Sequence, residues 1–153
     1  MPKFADLAAL TWEDKPNHWA SLTYRQYYNE SIRFAKSLIT LNVPEYTAIN
    51  IIGFNSPEWA IAFHGSIFGH YLPIGQYTTN NPDACAYIAN HSEARVAVME
   101  DSTHFDKYLT VLNQVKGIQY YVIWKGGLPK NIPQELHGRV FLWKDFMAIG
   151  DKG

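Results

Sequence analysis

The stretch that decides the fold is residues 47–59, TAINIIGFNSPEW. Residues 47–54 form an almost unbroken run of β-favouring apolar side chains, and such a run predicts a strand covered on both faces, as in a parallel sheet. A helix is predicted to begin directly afterwards. Ser56 can cap it, Pro57 fits its first position, and Glu58 suits its positive N-terminal end. Residues 47–59 therefore predict the first half of a βαβ unit.

The same order of strand, turn and helix recurs on both sides of this stretch. Thr23 and Gln26 have the spacing of a capping box, which predicts a helix that follows a short strand end at residues 21–24 and stops at Pro44. Further along the chain, apolar runs and capping residues predict helices at 59–68, 82–91, from Asp101 or Ser102, and at 144–149, and strands at 71–79, 95–100, 118–124 and 140–143. Such alternation with short connections predicts right-handed βαβ units around a mainly parallel sheet.

The composition is that of one globular domain. The chain has 153 residues, of which 47% are hydrophobic and 18% charged, and a chain of about 150 residues buries roughly 70% of the surface that it exposes when unfolded. Thirteen Lys and Arg residues against fourteen Asp and Glu give a net charge of −1. No basic excess is available to neutralise phosphates, so nucleic-acid binding is disfavoured. The single cysteine, Cys85, excludes an internal disulfide framework.

No transmembrane segment is predicted. The most apolar window, residues 59–74, is 16 residues long, whereas a helix that spans a bilayer needs roughly 20. Gly65 and Gly69 form a G-x-x-x-G pattern inside this window. We interpret the pattern as close packing of a buried helix in a soluble protein.

The residues alone predict no catalytic, cofactor-binding or metal-binding site. Neither the G-x-G-x-x-G nor the G-x-x-x-x-G-K-[ST] phosphate loop occurs, and KGGLPK at 125–130 is interpreted as a surface loop. The six histidines include no H-x-x-x-H pair, and Cys85 has no cysteine partner. The acidic pair Glu100-Asp101 is attributed to helix capping.

Three segments resemble the AMP-forming acyl-CoA synthetases. They are WASLTY at 19–24, IIGFNSPEW at 51–59 and GQYTTNNPDACAY at 75–87, and they occur in the family's order and at its distances. The last two resemble the bubblegum-type long-chain fatty-acid–CoA ligases of the adenylate-forming superfamily. The resemblance extends over about residues 10–150. The positions that it identifies as structural parts of the family motifs are Thr23, Tyr24, Asn55, Ser56, Pro57, Glu58, Trp59, Tyr77, Thr78, Thr79 and Asn80.

The resemblance implies an α/β fold in which residues 1–153 form a single incomplete AMP-binding N-terminal subdomain, without the C-terminal domain. Complete members use ATP, Mg²⁺ and CoA to convert a fatty acid, through an acyl-adenylate, into its CoA thioester. The family's phosphate loop, its aromatic-Gly-x-Thr-Glu segment and its adenylation lysine match nothing in this chain. The resemblance therefore implies that these residues hold no cofactor and are inactive alone.

Three roles remain open at this point. The chain is the N-terminal part of a long-chain fatty-acid–CoA ligase, or a non-catalytic structural or assembly subunit derived from one, or an acyl-CoA- or lipid-binding module. The first two roles imply that the remainder of the ligase or a protein partner covers the truncated sheet edge. The resemblance also implies an intracellular, cytoplasmic protein, with peripheral membrane association as an open alternative. His70, Tyr71 and Gln76 depart from the family pattern, and we expect them to alter packing or a partner surface.

Overall fold

A computed structural model describes residues 3–152. In chain order its elements are β1 Ala8–Lys15, β2 His18–Thr23, α1 Tyr24–Thr40, β3 Ala48–Ile52, α2 Pro57–Phe68, β4 Leu72–Gln76, α3 Pro82–His91, β5 Val96–Met99, α4 Ser102–Thr110, β6 Tyr120–Ile123, β7 Val140–Leu142 and α5 Trp143–Gly150. A short 3₁₀ turn, Gln134–Leu136, precedes β7.

The central sheet is parallel throughout and has the spatial order β4-β3-β5-β6-β7. The chain runs from β3 outward to β4, then returns past β3 to β5 and continues outward on the other side. Strand order therefore reverses between β3 and β5, which makes this the topological switch point of a doubly wound α/β fold. The predicted fold class is confirmed.

Helices cover the sheet on both faces. Helices α3 and α4 contribute Cys85, Phe105 and Tyr108 to the core on one face. On the other face, Phe34 of α1 and Phe146 of α5 belong to the second core, together with residues of α2. Every residue of β3 and β5 is buried, as expected for strands covered on both sides.

The predicted capping residues are found at four helix starts. Thr23 Oγ1 accepts the Gln26 N–H at 3.2 Å, and Gln26 Oε1 accepts the Thr23 N–H at 2.8 Å, which completes the capping box of α1. Ser56, Asn81 and Asp101 cap α2, α3 and α4 with their side chains. Helix α5 begins at Trp143 without a side-chain cap.

One element was not predicted: β1 and β2 form an antiparallel hairpin outside the main sheet. Its turn includes Asn17, which has a left-handed φ of 60°. Most residues of the hairpin are exposed or half-buried. Because its faces bury little, the alternation of apolar and polar residues that would indicate a strand is weak.

Several predicted boundaries are wrong. Helix α1 ends at Thr40, because Asn42 turns the chain with a left-handed φ of 55° before Pro44 is reached. Tyr24 is the first residue of α1 and not the end of a strand. Helix α4 ends at Thr110, so Leu112 and Val115 reach the core from beyond the helix.

Close packing of α2 explains the G-x-x-x-G pattern. A Cβ atom on Gly65 would lie 2.7 Å from the carbonyl oxygen of Ser31 and 2.8 Å from Phe34 Cδ1. Glycine at this position therefore lets α2 lie directly against α1, as the sequence predicted. None of the helices within residues 3–152 is both long and apolar enough to cross a membrane.

Candidate functional site at the carboxyl edge of the sheet

The carboxyl ends of four strands meet at one edge of the sheet. Ile52 of β3 is in register with Gln76 of β4 and with Met99 of β5, and Met99 is in register with Ile123 of β6. The segments that follow these residues therefore lie side by side. Doubly wound folds bind their ligands at this edge, next to the switch point.

Both longer family motifs reach this edge. Residues 55–59 follow β3, and residues 77–80 follow β4, so parallel pairing of β3 with β4 brings the two motifs together. Thr23 and Tyr24 do not join them, because they lie where the hairpin meets α1.

The first motif builds the start of α2. Ser56 Oγ accepts the Trp59 N–H at 3.1 Å, Pro57 occupies the first turn, and Glu58 provides the acidic side chain of that turn. The indole of Trp59 stacks on Phe63 with 5.5 Å between ring centroids. Asn55 is exposed beside the capping residue. These residues act as a strand–helix turn, as the sequence predicted.

The second motif is a turn fastened to α4. The carbonyl oxygen of Thr78 accepts a hydrogen bond of 2.6 Å from Lys107 Nζ, and the Asn80 N–H donates to the carbonyl of Tyr77 at 3.1 Å. Thr79 is exposed. The side chain of Tyr77 is 81% exposed, and Phe54 on the neighbouring loop is 71% exposed. The edge thus presents two large aromatic residues to solvent.

Glu100 ties three of the edge segments together. Its Oε2 accepts the Phe54 N–H at 2.9 Å, and its Oε1 accepts a hydrogen bond from Lys125 Nζ at 2.9 Å. Glu100 follows β5 directly, whereas Phe54 and Lys125 follow β3 and β6. We call this set of contacts the Glu100 clasp.

Opposing effects set the pKa of Glu100. Burial raises the pKa of Glu100. The hydrogen bonds from Phe54 and Lys125 and the positive charge of Lys125 lower the pKa by more than burial raises it, so the net shift is downward. The same carboxylate raises the pKa of Lys125, which is fully exposed. Glu100 is therefore ionised at neutral pH and holds both partners as an anion.

Asp101 has a separate task next to the clasp. Its Oδ1 accepts the N–H groups of Thr103 and His104 and contacts His104 Nδ1 at 3.0 Å. Burial raises the pKa of Asp101, yet the contacts with His104 and Thr103 outweigh burial and lower it. Capping therefore explains Asp101, as predicted, whereas the capping explanation is wrong for Glu100.

Gly53 allows the loop after β3 to lie under an indole ring. A Cβ atom at this position would fall 2.5 Å from Trp124 Cη2 and 2.8 Å from Glu100 Cβ, and the φ angle of Gly53 is 155°. Only glycine satisfies both the space and the backbone conformation. Gly53 thus serves close packing at the clasp.

A shallow groove of about 250 Å³ lies beside the first motif. Its walls come from the hairpin, with Leu10, Thr11 and Trp12, and from the start of α2, with Asn55 to Ala60. The walls are mostly apolar. The structure thus places motif residues next to an apolar groove.

The edge residues do not fit ATP or Mg²⁺ by themselves. Within residues 3–152, no group of three or more His, Cys, Asp and Glu side chains could hold a metal ion. The two lysines that contact the edge segments, Lys107 and Lys125, are bound to the Thr78 carbonyl and to Glu100. Both lysines are therefore already engaged within the part of the chain that the structure describes.

The three departures from the family pattern all lie in or beside the loops around β4. Tyr71 is buried and donates its hydroxyl proton to the Val43 carbonyl at 3.0 Å, while His70 adopts a left-handed φ of 65°. Gln76 is buried and donates to Asn50 Oδ1 at 2.8 Å and to the Tyr108 hydroxyl at 3.1 Å. Gln76 therefore adds a polar network to the core.

Sequence reasoning missed Gly53, Glu100, Trp124 and Lys125 as a group. The local patterns assign Gly53 and Trp124 to predicted strands, Glu100 to a cap and Lys125 to a surface loop. The available signal is topological: all four lie at or directly after the ends of predicted parallel strands, and parallel strands end at one edge.

Comparison with known proteins places the chain in a family. The sequence profile of the AMP-binding enzyme family matches residues 2–136. The chain is 34% identical over 148 residues to the long-chain-fatty-acid–CoA ligase ACSBG2 of Xenopus laevis, a match that covers 97% of this chain and 19% of that protein. It is 31% identical over 152 residues to ACSBG1 of Homo sapiens, covering 99% of this chain and 20% of that protein. The chain thus spans about a fifth of the length of these relatives.

Solved structures agree on the fold. An anthranilate CoA ligase in complex with anthranoyl-AMP matches 80% of this chain and 23% of its own, with a TM-score of 0.73 and 22% identity. An acyl-CoA synthetase of Brucella canis matches 94% of this chain and 24% of its own, with a TM-score of 0.72 and 14% identity. The resemblance drawn from the motifs is confirmed, and the chain belongs to the AMP-binding enzyme family.

Proposed function

We propose that this chain is the N-terminal part of an AMP-forming long-chain fatty-acid–CoA ligase and that it is inactive by itself. The observation that carries the proposal is the meeting of both family motifs at the carboxyl edge, in a chain similar over 97% of its length to a fatty-acid–CoA ligase five times as long. In this role the chain supplies a rigid edge of loops. The remainder of the ligase supplies the groups that bind ATP, Mg²⁺, fatty acid and CoA.

The chemistry of adenylyl transfer supports placing the ATP-binding groups in the remainder of the ligase. Adenylyl transfer depends on cations and hydrogen-bond donors fixed around the phosphates. At this edge Lys107 and Lys125 already donate hydrogen bonds within the chain. The carboxylate of Glu100 holds loops, and that of Asp101 caps α4. The exposed side chains of Phe54 and Tyr77 suit a surface that the remainder of the ligase covers, because aromatic residues are enriched where proteins pack against one another.

The test of inactivity is fatty-acid-dependent ATP–pyrophosphate exchange with the purified 153-residue chain. We expect no exchange above that of a boiled control. Exchange that depends on palmitate and Mg²⁺ would show that the chain contains a reaction centre of its own and would refute the proposal.

The exposed aromatic pair favours one second candidate, a structural or assembly subunit derived from a ligase. In that case Phe54 and Tyr77 would contact a separate protein and not the rest of the same polypeptide. Native purification separates the two cases: tight association of a 153-residue chain with a larger particle supports the subunit, and a lone monomer contradicts it.

The third role, an acyl-CoA-binding module, would use the apolar groove beside Trp12 and Trp59. Calorimetric titration with palmitoyl-CoA tests it directly. We expect no heat of binding and no thermal stabilisation, because the groove is shallow and no lysine or arginine lines it.

A further inference from the structure

The Glu100 clasp adds side-chain contacts between loops that lie far apart in the chain. Glu100 is 46 residues from Phe54 and 25 residues from Lys125 along the chain. Its side chain is 12% exposed, whereas that of Lys125 is 70% exposed. A largely buried carboxylate with two donors from two neighbouring loops stands at the switch point between β3 and β5.

The loop that Glu100 holds is the one that carries the first family motif. Phe54 lies directly before Asn55 and Ser56, and its N–H group is outside the sheet ladder. Beneath it, Gly53 is in a conformation that favours glycine and is covered by Trp124. Without an acceptor for the Phe54 N–H, the backbone between β3 and α2 would lose its hydrogen bond to the segment that follows β5.

We infer that Glu100 is a positioning residue: it fixes the motif loop of residues 53–56 against the ends of β5 and β6, and it does so as a carboxylate. The clasp itself follows from these contacts alone. Its importance for an assembled ligase rests on the proposed function, and the experiment below therefore uses no enzymatic activity.

Two amide signals in the folded chain test the inference. The Phe54 N–H is bound by Glu100, and the Thr103 N–H is bound by Asp101 at 3.0 Å. In a pH titration followed by ¹H–¹⁵N NMR, both amide shifts should change as their carboxylates are protonated. In Glu100→Gln, the Phe54 amide should lose this change, while the Thr103 amide should keep it and serve as the internal control.

Hydrogen exchange separates positioning from general support of the fold. In Glu100→Gln, we expect exchange at Phe54 to speed up at least about tenfold more than exchange at Ile51 and Val98, which lie in the centres of β3 and β5. An equal loss of protection at all three amides would mean that Glu100 only stabilises the domain. Unchanged exchange at Phe54 would mean that the loop does not need an ionised carboxylate, since the amide oxygen of glutamine can still accept the Phe54 N–H. Either result overturns the inference.

Lys125→Met tests the same clasp if Glu100→Gln does not fold. Lys125 is exposed, so this variant keeps the core and removes only one partner of the carboxylate. Because Lys125 lowers the pKa of Glu100, the midpoint of the Phe54 titration should move to higher pH. A midpoint equal to that of the unsubstituted chain would contradict the clasp. The matched control is Lys152→Met at the far end of the chain, which should leave the midpoint unchanged.

Discussion

Replacing Gly53 with alanine tests how closely the carboxyl edge is packed. The new Cβ atom would lie 2.5 Å from Trp124 Cη2, which is 0.9 Å short of the 3.4 Å at which ordinary contact begins. It would also lie 2.8 Å from Glu100 Cβ. Neither neighbour is free to move, because Trp124 follows β6 and Glu100 is held by two hydrogen bonds.

The expected cost has two parts. Forcing an extra methyl group into a packed site costs roughly 1–3 kcal/mol. Holding a non-glycine residue in a conformation that only glycine favours costs about 1–3 kcal/mol more. We therefore expect Gly53→Ala to lower the free energy of unfolding by about 2–6 kcal/mol, a large share of the roughly 5–15 kcal/mol typical of a domain.

Urea unfolding followed by tryptophan fluorescence measures this loss, since the chain has five tryptophans. The matched control is Gly127→Ala, where no atom lies within 4 Å of the added Cβ, and we expect a change within about 0.5 kcal/mol. In a chain that already carries Trp124→Leu, Gly53→Ala should cost less than in the unsubstituted chain, because the clash with the indole is gone. The backbone part, about 1–3 kcal/mol, and the close contact with Glu100 Cβ remain. A cost below about 1 kcal/mol in the unsubstituted chain would refute the packing of Trp124 on Gly53.

Three further predictions concern stability. Thr23→Ala removes the oxygen that accepts the Gln26 N–H and should cost about 1 kcal/mol in urea unfolding; an unchanged midpoint would argue against the capping box. Because the pKa values of Glu100 and Asp101 are lowered on folding, their contribution is complete above the ordinary carboxyl pKa of about 4. This contribution to stability should disappear as the pH falls through the lowered pKa values. In Glu100→Gln, the free energy of unfolding should therefore fall less steeply at acid pH. Burial raises the pKa of Tyr121 to about 12, so the folded state holds a proton that the unfolded state releases above about pH 10. The free energy of unfolding should therefore decline between about pH 10 and about pH 12. The decline should be less steep in Tyr121→Phe, and an equal decline in the two proteins would contradict burial of this hydroxyl.

The central sheet was predictable because its signals are local and strong. The run at residues 47–54 became the fully buried strand β3, and Ser56-Pro57-Glu58 became the start of α2. Capping residues specify helix starts through one or two hydrogen bonds between near neighbours in the chain, so their pattern is visible in the sequence. Ends of elements were less accurate: α1 ends at Thr40 and not at Pro44, because Asn42 turns the chain with a left-handed backbone that no residue pattern announced.

The hairpin and the clasp could not be predicted in the same way. Strand β1 is largely exposed and none of its residues is fully buried, so the physical basis of a strand pattern is weak. The clasp joins residues up to 46 positions apart, and its members meet only because parallel strands place their ends together. Local reasoning assigned Glu100 to capping, since the next residue, Asp101, is indeed a cap.

The central claim, that this chain is the N-terminal part of a longer ligase, is tested most directly by the size of the native polypeptide. An antibody against this chain would isolate it from its source, and intact-mass spectrometry would measure its length. The chain covers only 19–20% of its relatives. We therefore expect a native polypeptide that contains this sequence and is several times longer than 153 residues. A mature native protein that ends at Gly153 would contradict the claim.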